Sequence, residues 1–167
     1  TLREVVSLGS AALDSTAPDE FGRISGVIGG ENGDIYVADA QAREIRVFDA
    51  SGKLIRRIGR SGAGPGEFAN LQSIGWLGDT LAVMDAGNSR IGLFDANGTW
   101  LTQREHGRIT GTGLYLHQTA SDELYAPAIR RHDRSIESAF ARHDHTGSTD
   151  TIAASHDPSR APVMITC

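Results

Sequence analysis

The sequence has one cysteine, Cys167, and it is the last residue. An internal disulfide framework is excluded, and no catalytic role is read into a thiol so placed. No apolar run approaches the roughly 18 residues of a membrane-crossing helix. No basic-then-apolar leader opens the chain. Charge is modest, with a net value of −5, and suggests neither a nucleic-acid nor a membrane partner. Proline is sparse, at 5 of 167 residues, while glycine is abundant at 20, which suits many short strands joined by tight turns. No helical periodicity and no low-complexity linker is visible. The length suffices for one domain with a sizeable core.

What is present is a repeat. A shift of 46 residues superimposes Val37 on Val83, Asp39 on Asp85, Ala40 on Ala86 and Ile45 on Ile91. The same shift carries Phe48-Asp49-Ala50 onto Phe94-Asp95-Ala96 and Gly52 onto Gly98. With a shift of 47, Pro18, Glu20 and Phe21 meet Pro65, Glu67 and Phe68. A weaker third copy places Asp144-His145-Thr146-Gly147 at 49 residues from Asp95-Ala96-Asn97-Gly98. A period in the forties built of short strands is the size of one four-stranded propeller blade. Ile35–Ala38 is apolar on both strand faces, and so, Arg46 aside, is Ile45–Phe48. A sheet covered on one side only would alternate, so these sheets are expected to lie between neighbours. Lys53–Ile58 mixes charge with aliphatic residues, as an outer edge strand does. Asp-x-x-Gly punctuates the chain at Asp49/Gly52, Asp95/Gly98 and Asp144/Gly147, a turn signal in which Asp bonds forward and Gly supplies positive φ.

Ile-Tyr-Val-Ala-Asp, then Ile-x-Val-Phe-Asp-x-x-Gly-Lys-Leu, then Gly-Pro-Gly-Glu-Phe resembles the NHL-type six-bladed β-propellers. The resemblance covers residues 18 to 105 well and a third unit loosely. It implies an all-β fold of four-stranded antiparallel blades. The length holds about 3 to 3.5 blades of an expected six, so the chain is expected to be one partial propeller domain, a piece of a longer protein. Blade 1 falls at about residues 18–60, blade 2 at 65–105 and blade 3 at 108–154, with the ends assigned to flanking blades. In order, Glu4–Leu8 reads as an outer strand, Phe21–Ile28 as an innermost strand, and Asn32-Gly33 as a hairpin turn. Blade 3 departs from the pattern. It lacks Glu-Phe, carries Pro127 where a strand should end or bend away, and has a long connection over Ile129–Ile136. Val163–Thr166 would begin a fourth blade.

No residue set reads as catalytic. Asp39 and Asp85 end the second strands of their blades, and two carboxylates near a channel suit metal binding or acid–base work. Their recurrence favours a structural role, accepting backbone N–H groups of the loops that follow. Glu67 and Phe68, like Glu20 and Phe21, Phe48 and Phe94, and Gly52 and Gly98, are read as structural repeat positions in the same way. His143-Asp144-His145 sets two imidazoles on one side of a strand, but zinc needs three or four converging groups, so no metal ligand is assigned. The basic residues from Arg43 to Arg60 read as a solvated edge, without interleaved aromatics for nucleic-acid stacking. Ser61–Gly66 lacks the Gly-Lys-Ser/Thr ending of a phosphate loop. Asn97-Gly98-Thr99 matches a glycosylation sequon, but Asn-Gly is also what a hairpin turn requires. Inserts that break a repeat often carry its function, which points to Arg130, Arg131, His132 and Arg134 as ligand or partner contacts.

The expected function is therefore a non-catalytic propeller scaffold, holding a protein or small ligand through loops on one face and needing no cofactor. The alternative implied by the resemblance is a lyase or lactonase-like enzyme using a divalent metal held by residues of several blades. A weaker alternative is RNA binding. Open blade faces would permit self-association. The resemblance also implies export from a bacterial cell.

Overall fold

The computed structural model describes residues 6–8, 20–106, 116–118, 123–132, 135–144, 146–147 and 149–153. Among them are three four-stranded antiparallel sheets, each in simple up-and-down order. The first holds β1 (Ile24–Gly29), β2 (Ile35–Asp39), β3 (Glu44–Phe48) and β4 (Leu54–Ile58). The second holds β5 (Leu71–Leu77), β6 (Thr80–Asp85), β7 (Arg90–Phe94) and β8 (Trp100–Glu105). The third holds β9 (His117–Gln118), β10 (Leu124–His132), β11 (Ser135–His143) and β12 (Thr149–Ala153). No α-helix occurs among the described residues; Glu31–Gly33 and Ala86–Asn88 are single 3-10 turns.

Burial follows the sequence pattern. The middle strands β2, β3, β6 and β7 are buried almost throughout, whereas β4 and β8 alternate or face solvent. Middle strands covered on both faces are what stacked sheets require. One core cluster joins the first sheet (Tyr36, Ala38, Ile45, Val47, Ile58) to Phe68 and to the second (Leu71, Ile74, Leu81, Val83, Phe94). A second cluster joins the far side of the second sheet, through Leu77, Ala82, Met84 and Ile91, to Leu116, Leu124 and Ala126 of the third unit. The three sheets are thus stacked blades.

The outer turns repeat in atomic detail. Gly52 and Gly98 donate their N–H to the carbonyls of Asp49 and Asp95 at 2.9 Å, with φ of +83° and +81°. The Asp49 carboxylate accepts from the N–H of Ser51 and Lys53, and that of Asp95 from Thr99. Asp144 accepts from Thr146 in the same way.

The lead-in to the second blade is fixed by Gly64-Pro65-Gly66-Glu67. The Glu67 N–H closes the turn on the Gly64 carbonyl, and the Phe68 N–H donates to the Arg60 carbonyl at 2.7 Å. This sets the Phe68 ring directly over Gly59, where an added Cβ would lie 2.0 Å from the ring at a φ of +83°. Gly59→Ala should therefore cost about 2 kcal/mol, from overpacking together with left-handed backbone strain. Urea titration checks this; a change below about 0.5 kcal/mol would show that Phe68 does not occupy that site.

Three expectations are corrected. Residues 6–8 form no strand, although an added Cβ at Gly52 would meet Val6 at 2.7 Å. The innermost strand begins at Ile24, because Gly22 and Arg23 donate to the Asp39 side chain instead of a ladder. And Ile129–Ile136 is no loose connection. β10 and β11 pair through Pro127↔Phe140 as far as His132↔Ser135. Pro127 is accommodated because, among the described residues, β9 pairs β10 only at Leu124 and Tyr125, which leaves an edge on that side. The proposed fourth-blade start at Val163–Thr166 lies outside the described residues.

Candidate functional site

The chemistry-bearing residues fall at two ends of the sheets. At one end, after the second strand, stand Asp39 and Asp85, each 1% exposed. The Asp39 carboxylate accepts four backbone N–H bonds, from Gly22, Arg23, Gln41 and Ala42, at 2.9 to 3.2 Å. Burial pushes this carboxyl up, but the donors of Gly22, Ala42, Arg23 and Gln41 outweigh it and hold it below the ordinary carboxylate range. Asp85 accepts from the N–H groups of Ala69 and Asn70 and from the Asn88 amide, at 3.1, 2.9 and 2.6 Å. Each aspartate ties its strand end to the segment leading into its own blade.

An arginine completes each tie. Arg46 Nη2 lies 3.5 Å from Asp39, and Arg90 Nε lies 3.5 Å from Asp85. Arg46 also donates to the Glu20 carbonyl, while Arg90 donates to the carbonyls of Gly64 and Glu67 at 2.8 Å. Aromatic pairs recur in both blades, with Phe21 against Phe48 at 6.0 Å and Phe68 against Phe94 at 5.8 Å, while Arg46 lies over the Phe21 ring and Arg90 over that of Trp100. The Glu67 carboxylate accepts from the Gly64 N–H at 2.8 Å and from Arg60 at 2.9 Å. Among the described residues no three His, Cys, Asp or Glu side chains are grouped to hold a metal ion.

At the other end lies a groove of about 690 Å³ between the first and second blades. Three hairpin turns build it: Gly29–Asp34 joining β1 to β2, Gly78-Asp79 joining β5 to β6, and Ala96-Asn97 joining β7 to β8. Its floor is aromatic, with Tyr36 and Trp76 meeting edge to face at 5.1 Å. Both polar tips are tied across the blade boundary. The Trp76 indole N–H donates to the Gly29 carbonyl at 2.6 Å, and the Tyr36 hydroxyl to the Ala96 carbonyl at 3.2 Å. Arg56 donates to that same carbonyl at 2.7 Å. Burial raises the Tyr36 phenol; Arg56 opposes the rise and Asp34 adds to it. Sequence reading missed this groove, since its residues come from separate turns and form no motif. The one available signal was the pair Tyr36 and Trp76, aromatic residues standing beside the turns.

Of the predicted contact residues, Arg130, Arg131 and His132 lie on β10, and Arg134 lies outside the described residues. Register shows what this hairpin does. Leu124 faces His143 as Leu81 faces Phe94, so Ala128 stands where Asp85 stands in its blade. Four further residues of β10 project past that point, an extension of about 13 Å. Within its sheet this is the end of the aspartates, not of the groove. His143 is buried, with its ring 5.8 Å from that of His106. Burial, then His106 and Arg104, push its imidazole down to about 4, against the opposing effect of Asp144. His145 lies outside the described residues.

The fold defines a propeller, and comparison with known proteins places it more closely. Residues 12–153 match the model of the 6-bladed beta-propeller family, and the chain belongs to that family. Among solved structures it is similar to a protein of Bacteroides fragilis inferred to be exported, with 19% identity and a TM-score of 0.61 over 80% of this chain and 38% of that one. It is similar to a catalytically inactive variant of virginiamycin B lyase from Staphylococcus aureus, determined with quinupristin, with 12% identity and a TM-score of 0.60 over 86% of this chain and 45% of that one. A protein of unknown function from Bacteroides caccae matches with 16% identity and a TM-score of 0.51, over 76% and 48%. At these identities the likeness is one of fold. The chain spans less than half the length of each of these three proteins. Among curated proteins, no sequence matches it. No helix among the described residues is long and apolar enough to cross a membrane.

Proposed function

We propose that this chain contributes a non-catalytic binding face to a six-bladed propeller, engaging a ligand through the turns that meet between its first two blades. The observation that carries this reading is the groove itself. Its walls come from three hairpins of two blades, and its floor is fixed by hydrogen bonds across the blade boundary. A preformed concavity with an aromatic floor and a few placed polar groups is the usual form of a small-ligand site. Arg130, Arg131, His132 and Arg134 supply a second contact surface, the first three on the end of β10 opposite the groove. Export, suggested by the description of the Bacteroides fragilis relative, belongs to the same proposal.

The test is ligand-observed NMR of the chain against a mixed library of small molecules, repeated with Trp76→Ala, which takes away the aromatic floor. Binders that are lost in Trp76→Ala and recovered chemically unchanged are the expected result. Binding indifferent to that substitution contradicts the groove, and turnover of a bound compound contradicts a non-catalytic role.

A further inference from the structure

We infer that the groove between the first two blades selects organic cations, small molecules that carry an ammonium or guanidinium group on an apolar body. The inference rests on the binding reading above and adds the chemical class of the ligand.

Three carboxylates line the groove, those of Glu31, Asp34 and Asp79. Elsewhere the described carboxylates are mostly engaged. Asp39, Asp49, Asp85, Asp95 and Asp144 accept N–H bonds within their turns and blade ties. Glu44, Glu67, Glu123 and Asp150 pair with arginines. Glu31, Asp34 and Asp79 accept no hydrogen bond and close no ion pair among the described residues. They therefore leave a negative field over the groove, screened by solvent where Glu31 and Asp79 are exposed.

The one cation of the groove does not cancel that field. Arg56 directs its guanidinium to the Ala96 carbonyl at 2.7 Å, where it holds a turn in place. Three acids against one base leave the lining negative. The floor adds a second, independent feature. Trp76 is partly exposed, and its indole N–H is already spent on Gly29, so what it offers a ligand is ring surface. An aromatic face attracts a cation electrostatically and an apolar body by burial.

A metal ion is a poor occupant. Such an ion needs its ligands within about 2.0 to 2.6 Å of one point, and no three acidic or imidazole groups are so grouped among the described residues. Carboxylates spread around a rim over an aromatic floor suit a larger ion of diffuse charge. Anions are repelled by the same arrangement.

The experiment uses the full 167-residue chain and three probes of one shape: 4-phenylbutylammonium, 4-phenylbutan-1-ol and 4-phenylbutyrate. Affinities are measured by calorimetry at low salt, with the Trp76 indole N–H followed by NMR. The ammonium should bind at least about tenfold tighter than the alcohol, which is the order expected for one or two unscreened charge contacts. The carboxylate should bind most weakly. Glu31→Gln/Asp34→Asn/Asp79→Asn should bring the ammonium down to the level of the alcohol while leaving the alcohol unchanged. Trp76→Ala, which takes away the aromatic floor, should weaken all three. Calcium chloride should neither bind nor compete.

Equal binding of ammonium and alcohol, both lost in Trp76→Ala, would overturn the cation assignment and leave the groove as a binding site. Ammonium binding undiminished in Trp76→Ala, or the absence of binding by every probe up to 10 millimolar, roughly the weakest affinity such contacts would leave, would overturn it outright. Competition by calcium would replace it with a metal site. Should Trp76→Ala fail to fold, the triple amide variant, confined to partly or fully exposed side chains, decides between the same outcomes.

Discussion

Phe68→Ala is expected to lower the free energy of unfolding by about 3–5 kcal/mol, the range for truncating a fully buried phenylalanine. The ring is 1% exposed and belongs to the cluster that joins the first blade to the second. It packs on Phe94 at 5.8 Å and covers Gly59, so its loss opens a cavity at the blade boundary and not at a surface. Backbone bonds on both sides, from Phe68 N–H to Arg60 and from Gly62 N–H to the Phe68 carbonyl, hold the chain in place and prevent collapse into the void. Leu101→Ala, at a side chain 53% exposed on β8, provides the contrast and should change stability by no more than about 0.5 kcal/mol. Denaturant titration of both variants at constant m-value checks the pair. A loss below about 1 kcal/mol for Phe68→Ala would mean that the two blades are not joined through this ring.

Asp39→Ala should cost a comparable amount, about 3–5 kcal/mol, the range for breaking a buried charge pair by removing one partner. Four backbone N–H groups would lose their acceptor, and Arg46, 7% exposed, would lose a counter-charge. Asp39→Asn keeps the shape and one acceptor oxygen, so a smaller loss is expected. The pH dependence follows from the direction of the shift. The folded carboxyl titrates below its unfolded value, so its contribution is complete above about pH 4 and is lost as pH falls through the folded value. His143 acts in the same direction at higher pH. Its folded imidazole is depressed from 6.5 to about 4, so the unfolded chain takes up the proton first, and stability declines as pH falls across that interval. Stability should therefore decline in two stages on acidification, and Asp39→Ala should diminish only the lower one, to which the lowered carboxyls of Asp49 and Glu67 also contribute. A variant whose acid profile matches that of the parent would contradict the role given to Asp39.

How far these features were legible in the sequence differs from residue to residue. The blades were legible because a strand buried on both faces has few alternatives to apolar residues, and the Asp-x-x-Gly turns because only certain residues tolerate that backbone. The arginine ties were not. Arg90 occupies the repeat position of Glu44, while Arg46 stands two residues further on, yet both guanidiniums reach an aspartate and the carbonyls of the lead-in segment. A long flexible side chain can deliver one contact from two registers, so the interaction recurs where the residue does not. The β10–β11 hairpin was misread because Pro127 breaks the pattern a paired strand usually shows, although an edge can accept it. The groove left only one faint signal, two aromatic residues beside turns. Tyr36 and Trp76 are 40 residues apart, and their meeting depends on the stacking of two sheets, which no local pattern encodes.

That stacking is the central claim, since both the buried ties and the groove depend on it. The most direct measurement is a nuclear Overhauser spectrum of the labelled chain. Cross-peaks are expected between the ring protons of Tyr36 and the indole of Trp76, whose centroids lie 5.1 Å apart, and between the Gly26 α-protons and the Ile74 side chain, which meet where β1 crosses β5. With these resonances assigned, the absence of both sets of cross-peaks would show that the first two sheets do not lie face to face, and the groove would have no walls.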